Sequence, residues 1–265
     1  MRILTLGTTI LGLSLATTLR ADTEEGFVNL FDGKSLKGWK SAKSEGPGDL
    51  GPFKICSEDK AIHVYRGDAA NSVQPEDCLN TEAQFSHFIL RLEYKWLEKR
   101  FAPRETHDRD AGLLFHVHGD LTRVWPWCFE MQIGETPGEE FSTPGGRFHT
   151  GDLFVLGGHL RCKTKRMEGQ GHYDPKGEIV PTMNCPTLLG VEKPMGEWNE
   201  MEIEVHGAEK AIFKFNGKVV HEIFDLEQNV DGKWVPIEKG HIGLQAEYAE
   251  IKYRNIRIKE IEPKK

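Results

Sequence analysis

Basic charge is scarce in this sequence of 265 residues. Its 34 Lys and Arg are outnumbered by 41 Asp and Glu, which gives a formal net charge of −7. The one basic cluster, residues 161–166, is short and flanked by glycine and glutamate, so we interpret it as a solvated loop. Nucleic acid is therefore not expected as a partner.

Long apolar runs are missing beyond residue 21, and no later segment is expected to span a membrane. At the start of the chain, the positively charged Arg2 precedes an apolar stretch, residues 3–19, and the small residue Ala21 follows shortly after it. This pattern is typical of a secretory signal peptide over residues 1–21. We expect a secreted or periplasmic protein whose mature part, residues 22–265, forms a single domain.

Cysteine is also sparse, with five residues in the chain. Export permits disulfides, and an odd number leaves at least one thiol unpaired. The pairs that close short loops, of about twenty residues each, are Cys56–Cys78 and Cys162–Cys185. Each would stabilise the fold by roughly 3 kcal/mol through the loop entropy of the unfolded chain. Cys128 would then stay free. The connectivity itself cannot be read from the sequence.

Convincing helical periodicity is absent, whereas short alternating stretches with glycine and proline turns are frequent. Residues 211–215 and 218–221 flank Asn216-Gly217, the strongest short signal for a β-hairpin because a type I′ turn needs positive φ at both positions. The chain is therefore predicted to be all-β, either a sandwich or a barrel.

Two neighbouring stretches, residues 113–118 and 127–133, carry the most informative pattern. Successive strand side chains point to opposite faces of a sheet. One face of this pair is predicted to be apolar, and the other would carry two imidazoles, a carboxylate, an amide and a thiol, from His116, His118, Glu130, Gln132 and Cys128. A face this rich in ionisable groups predicts a binding floor.

An ordered set of short motifs resembles the 3-keto-disaccharide hydrolase domain family and covers residues 27–261. The set runs from 27–39 through 92–96, 110–116, 125–132, 151–154, 192–199, 215–218 and 243–245 to 253–256. Family members often have Asn-Ser-Gly where this chain has Asp110-Ala111-Gly112, and Arg where Lys95 stands. The resemblance implies a concanavalin-like jelly-roll β-sandwich of two antiparallel sheets, with a sugar groove on the concave one.

The resemblance also implies that residues 88–96 join this concave sheet. The expected catalytic residues are His116, Glu130 and Lys95. The expected substrate-binding residues are Glu93, His118, Gln132, Asp152, Gln245, Glu247 and Trp125.

The family's substrate class suggests the chemistry. A keto group at C3 of a sugar acidifies the C2 proton, so a base can remove it and the enolate can expel the glycosidic oxygen from C1. His116 is the first choice for the base, since imidazole titrates near neutral pH. Glu130 can serve as base or acid, and Lys95 or a divalent metal can hold the enolate.

Three alternatives stay open from the residues alone. Conventional glycoside hydrolysis needs two carboxylates, and Gln132 stands where sandwich glucanases often place the second one. A lectin-like module would share the fold without the chemistry. Finally, His116, His118 and Glu130 can bind Zn²⁺ or a related ion, although their spacing matches no established metal motif.

Overall fold

A computed structural model of the chain describes residues 24–46, 49–135, 149–188 and 191–263. Within these ranges the chain forms eighteen β-strands and no helix. The all-β prediction is therefore confirmed. The predicted signal peptide lies outside the described residues, and no helix within the described part is long and apolar enough to cross a bilayer.

Eleven strands form the larger antiparallel sheet. In chain order they are β1 (Val28–Asn29), β3 (Phe53–Cys56), β4 (Ala61–Val64), β6 (His87–Arg100), β10 (Leu160–Arg166), β11 (Glu178–Thr182), β13 (Asn199–His206), β14 (Lys210–Phe215), β15 (Lys218–Val230), β16 (Lys233–Pro236) and β18 (Ala249–Glu260). Their main order in the sheet is β11-β10-β15-β14-β13-β6-β18-β4-β3, with β1 paired to β18 and β16 paired to β15.

Seven strands form the second antiparallel sheet. They are β2 (Trp39–Ser41), β5 (Asp77–Thr81), β7 (Asp110–His118), β8 (Trp127–Gly134), β9 (Leu153–Leu156), β12 (Asn184–Cys185) and β17 (His241–Ala246). Their order in the sheet is β12-β9-β8-β7-β17-β5-β2.

The two sheets pack face to face as the predicted jelly-roll sandwich. Alternation along the strands buries one side of each sheet, as on β6, where Leu90, Leu92 and Tyr94 are fully buried and the residues between them are not. The inward residues of both sheets form one main apolar cluster. The predicted hairpin is also present, because Asn216 and Gly217 join β14 to β15 with φ of 45° and 78°.

The prediction for residues 88–96 was wrong in one respect. This segment is the centre of β6, which pairs with β13 and β18 in the eleven-stranded sheet. It is not part of the sheet that carries Glu130. Alternation predicted the strand correctly, but it holds no information about which distant strands will pair with it.

The two predicted disulfides are wrong as well, because all five cysteines are free thiols. Cys56 lies on β3 of the larger sheet, whereas Cys78 lies on β5 of the smaller sheet, in a separate apolar cluster with Cys128. Cys162 and Cys185 are both buried in the main core.

Candidate functional site

The first feature of the site is a β-bulge in β7 that reverses the predicted direction of His116. The register between β7 and β8 shifts between Phe115 and His118, and His116 has a φ of 49°. One inserted residue reverses the alternation beyond it. Val117 therefore packs in the small apolar cluster on the face of the sheet turned away from the core, whereas the His116 side chain points toward the core between the sheets.

His116 consequently has a structural environment. Its Nε2 donates a hydrogen bond to the Gly207 carbonyl oxygen at 3.0 Å, and Gly207 lies in the turn between β13 and β14 of the opposite sheet. Burial lowers the pKa of His116 to about 4, so the ring is neutral near pH 7. His118 is half-buried, with its ring 5.6 Å from that of Trp127. The predicted placement of both histidines beside Glu130 was wrong.

Glu93 and Lys95 were also placed wrongly, because β6 belongs to the larger sheet. Glu93 accepts hydrogen bonds from Arg254 Nε at 2.7 Å and Asn255 Nδ2 at 2.8 Å. The Lys95 ammonium lies 4.5 Å from the ring centre of Trp198. Glu93 therefore contacts β18, and Lys95 contacts the residue directly before β13, both on the larger sheet and away from the smaller one.

Three carboxyl groups do meet on the outer face of the seven-stranded sheet, the face turned away from the core. We call them the carboxyl cluster: Glu130 on β8, Asp110 at the start of β7 and Glu247 directly after β17. Asp110 and Glu247 face each other across an isolated β-bridge, and their side chains are hydrogen-bonded. Gln132 Nε2 donates to Asp110 Oδ1, which brings a predicted binding residue into the cluster.

Arg104 is the cation of this cluster. Its Nη1 donates to Asp110 Oδ2 at 3.1 Å and to Glu247 Oε2 at 3.2 Å, and its Nη2 donates to Glu76 at 3.4 Å. On the other side, the predicted groove residue Trp125 donates from Nε1 to Glu247 Oε1 at 3.1 Å. Asp110, Arg104 and Glu76 were missed as candidates from the sequence. Asp110 was visible as part of a family motif, but the other two lie in loops without periodic pattern.

Burial raises the pKa of all three carboxyl groups, and repulsion from neighbouring carboxylates raises those of Glu130 and Glu247 further. Burial and Asp110 raise the pKa of Glu247 to about 8, against the lowering effects of Trp125 and Arg104. Burial also raises the pKa of Asp110, while Gln132 and Arg104 lower it. The pKa of Glu130 lies well above its usual range, because it is buried close to the other two carboxylates. Near pH 7 we expect a protonated Glu130 and one proton shared between Asp110 and Glu247.

Gln245 lies beside Glu130 with its amide fully buried and without a hydrogen bond to any described residue. A Cβ atom added to Gly112 would lie 2.0 Å from Gln245 Oε1 and 2.2 Å from Glu130 Oε1. Glycine at this position therefore leaves the space in which the two side chains meet. A protonated Glu130 can donate to Gln245 Oε1, which leaves the Nε2 donor for a ligand.

Asp152, also predicted to bind substrate, organises a neighbouring turn. Its carboxylate accepts from the Thr187 backbone N–H at 2.7 Å and from the His149 backbone N–H at 2.8 Å. Its backbone carbonyl accepts from Gln132 N at 3.0 Å. Asp152 thus supports the strand that carries Glu130 and Gln132 through the backbone.

The predicted metal ligands do not come together, because His116 faces the core and Glu130 faces outward. In the described ranges, no group of three or more His, Cys, Asp and Glu residues is arranged to hold a metal ion. The structure brings together Glu130, Gln132, Gln245, Glu247 and Trp125 from the predicted set.

A cavity of about 550 Å³ lies elsewhere, beside β10 and β15 of the larger sheet. Its charged residues largely satisfy each other: Arg161 Nε is 2.6 Å from Glu227, and Lys163 Nζ is 2.7 Å from Asp225. The carboxyl cluster instead has shifted pKa values and lies beside the unpartnered buried amide of Gln245, and shifted pKa values are typical of functional sites. We therefore place the candidate site at the carboxyl cluster.

Comparison with known structures supports the fold. Two structures from Parabacteroides distasonis ATCC 8503, each provisionally named a glycosyl hydrolase, are similar to this chain. The first is 17% identical to this chain with a TM-score of 0.55, and the alignment covers 90% of this chain and 95% of the P. distasonis chain. The second is 18% identical with a TM-score of 0.52 and covers 89% and 99%, respectively. At these identities the similarity shows the fold.

No curated protein matches the sequence. Residues 26–259 match the 3-keto-alpha-glucoside-1,2-lyase-like domain, which spans nearly all of the described part of the chain. The protein therefore belongs to the 3-keto-alpha-glucoside-1,2-lyase-like domain family, as its motifs predicted.

Proposed function

We propose that this protein cleaves glycosides that carry a keto group at C3, by removing the C2 proton and expelling the glycosidic oxygen. Family membership supports a carbohydrate-active function. The observation that carries the proposal is that two buried carboxyl groups, Glu130 and Glu247, meet the partly buried Asp110 and one guanidinium on one sheet face. Carboxyl groups in different protonation states can supply the base and the acid of one reaction.

Asp110 is the base in this mechanism. The Asp110–Glu247 pair keeps one negative charge near pH 7, and hydrogen bonds from Gln132 and Arg104 favour the ionised form at Asp110. The adjacent ketone makes the C2 proton acidic enough for a carboxylate to remove. The Arg104 guanidinium lies against the same carboxylate, so it can stabilise the enolate oxygen that forms at C3.

Glu130 is the acid, since its raised pKa keeps it protonated. The C2–H bond breaks and its electrons form the C2–C3 double bond of the enolate, which leaves the negative charge on the C3 oxygen. The C3 carbonyl then re-forms, the C2–C3 electrons become the C1–C2 double bond as the C1–O bond breaks, and the leaving oxygen takes the proton of Glu130. Ionised Glu130 next removes a proton from the water that adds to C1, and Asp110 returns its proton to C2. The cycle balances and restores both carboxyl groups.

The matching experiment follows aglycone release from a 3-keto-glucoside. Glu130→Gln and Asp110→Asn should each reduce turnover by roughly 10²–10⁴, the usual contribution of one general acid or base. Glu93→Gln is the matched control, because Glu93 lies on the larger sheet and should retain full activity. Full activity of Glu130→Gln would overturn the proposal.

One observation favours a second candidate, conventional glycoside hydrolysis. Gln132 had argued against it, but Asp110 and Glu247 supply further carboxyl groups near Glu130 from other strands. A pair of carboxyl groups flanking the bond is what that reaction requires. Efficient hydrolysis of the unoxidised parent glycoside would support this second function, whereas the elimination route predicts that the parent stays intact.

A further inference from the structure

The two-residue connection between β17 and β18 contains a strained tyrosine beside the carboxyl cluster. Glu247 and Tyr248 link the smaller sheet to the larger one, and Tyr248 has a φ of 60°. A bulky residue rarely adopts this left-handed conformation, whereas glycine tolerates it. Such strain persists where the surrounding structure enforces it, and it is concentrated at functional sites. The side chain of Tyr248 is therefore expected to have a role that glycine cannot fill.

Contacts with the core hold the Tyr248 backbone on both sides. Its N–H donates to the Tyr65 hydroxyl oxygen at 3.1 Å, and its carbonyl oxygen accepts from Phe101 N at 2.8 Å. Tyr65 and Phe101 are fully buried, and their ring centres lie 4.7 Å apart. The path of the backbone at Tyr248, and with it the direction of the side chain, is therefore fixed by the packed core.

The Tyr248 side chain forms a triangle with Glu76 and Arg104. The Tyr248 hydroxyl donates to the Glu76 carboxylate, which also accepts from Arg104 Nη2 at 3.4 Å. Arg104 Cζ lies 5.4 Å from the centre of the Tyr248 ring, within the range of a cation–π contact. The other terminal nitrogen of Arg104, Nη1, donates to Asp110 and Glu247. The guanidinium is thus held between Tyr248 and Glu76 on one side and the carboxyl cluster on the other.

Arg104 needs this support, because its own location constrains it weakly. It lies in the loop between β6 and β7, and its side chain is 29% exposed. Its hydrogen bonds to carboxyl groups measure 3.1, 3.2 and 3.4 Å. Charge-assisted bonds are typically shorter, at about 2.7–2.9 Å. Fixing so flexible a side chain also costs conformational entropy, which an aromatic ring beside it reduces by excluding other rotamers.

We propose that Tyr248 is a positioning residue, whose ring and hydroxyl keep the Arg104 guanidinium against the carboxyl cluster. The placement of the guanidinium does not depend on the reaction that the site carries out. The effect on the rate rests on the proposed function, in which Arg104 stabilises the enolate oxygen.

A double-mutant cycle on kcat tests whether Tyr248 acts through Arg104. The variants are Tyr248→Gly, Arg104→Gln and their combination, assayed on a 3-keto-glucoside. Tyr248→Gly should lower kcat by about 10- to 100-fold with little change in KM, because stabilisation of the transition state is lost. In the Arg104→Gln background it should have almost no further effect, since residues that act together are not additive. Tyr248→Phe keeps the ring and should fall between the wild type and Tyr248→Gly.

The free protein offers a second readout that needs no reaction. Burial raises the pKa of Asp110 and Glu247, whereas Arg104 lowers it. The titration of this carboxyl pair, followed by NMR of isotope-labelled protein, should therefore shift to higher pH in Tyr248→Gly, by up to about one pH unit. If the wild type cleaves no 3-keto-glucoside, the proposed function fails, and this titration still decides the role of Tyr248.

Tyr173→Phe is the matched control. The Tyr173 hydroxyl donates to Glu222 Oε2 at 3.1 Å beside Lys165, in a similar arrangement on the larger sheet. This control should leave kcat and the carboxyl titration unchanged.

Glycine relieves the strained φ, so Tyr248→Gly should stay folded, which its thermal unfolding midpoint checks. The Tyr248→Phe variant repeats the cycle with the ring still packed. The proposal is overturned if Tyr248→Gly keeps the wild-type kcat and titration. It is also overturned if the losses in kcat add in full to those of Arg104→Gln, or if KM alone rises.

Discussion

Replacing Gly112 by alanine should disable the site while leaving the fold intact. The new Cβ would lie 2.0 Å from Gln245 Oε1 and 2.2 Å from Glu130 Oε1, whereas real contacts of this kind lie beyond 3.0 Å. Both oxygens must therefore retreat by roughly 1 Å, a misplacement that typically costs about 10²-fold in rate. Both belong to the ends of flexible side chains, so the cost in folding free energy should stay at about 1–3 kcal/mol.

The assay for Gly112→Ala is kcat/KM on a 3-keto-glucoside together with the thermal unfolding midpoint. For a chain of this size the midpoint should fall by about 2–4 °C for each kcal/mol lost. Gly171→Ala is the control, because an added Cβ there meets open space. Full activity of Gly112→Ala would show that Glu130 and Gln245 do not lie at the reacting centre.

Two further predictions follow from the charges. Arg104→Gln removes a cation that lowers the pKa of both Asp110 and Glu247. The acid limb of the pH–rate profile should therefore shift to higher pH by roughly one pH unit. An acid limb at the wild-type pH would contradict the assignment of Asp110 as the base. Burial lowers the pKa of His116 to about 4 and that of His221 to about 3. In the unfolded chain both imidazoles become protonated below about pH 6.5, whereas in the folded chain they stay neutral until the pH is much lower. Denaturant unfolding should therefore show a loss of about 3 kcal/mol per histidine between pH 6.5 and 4, and His221→Phe should reduce that loss by about half; an identical pH slope in this variant would argue against the mechanism.

Strand alternation predicted much of the fold, and the failures have physical reasons. It placed Glu130 and Gln132 on one face correctly, because β8 is regular over that stretch. It failed at His116, where one extra residue in the bulge reverses the pattern. A bulge leaves no clear sign in the order of polar and apolar residues, so parity cannot be carried past it from sequence alone.

The sequence prediction also missed strand β10, because the partners of its charged residues lie on a distant strand. Residues 161–166 looked like a solvated loop, yet they form most of β10. Their cations pair with acids on β15, as in Arg161–Glu227 and Lys165–Glu222. Such partners lie some sixty residues away, and nothing local reveals them.

The same limit applies to the candidate site. Gln245 and Glu247 were found because residues 242–247 alternate like a strand, and Gln245 also lies in a family motif. Arg104 and Glu76 come from loops, and only the folded chain brings them to Asp110. The sequence therefore predicted the floor of the site and missed the cation that organises its charges.

Deuterium incorporation at C2 of a 3-keto-glucoside in D₂O, followed by NMR alongside aglycone release, separates removal of the C2 proton from expulsion of the glycosidic oxygen. We expect Glu130→Gln to exchange the C2 proton but to release little aglycone, because only the acid is lost. Asp110→Asn should do neither, since the base is lost. Aglycone release by Asp110→Asn at the wild-type rate, or release from the unoxidised parent glycoside, would contradict the elimination route.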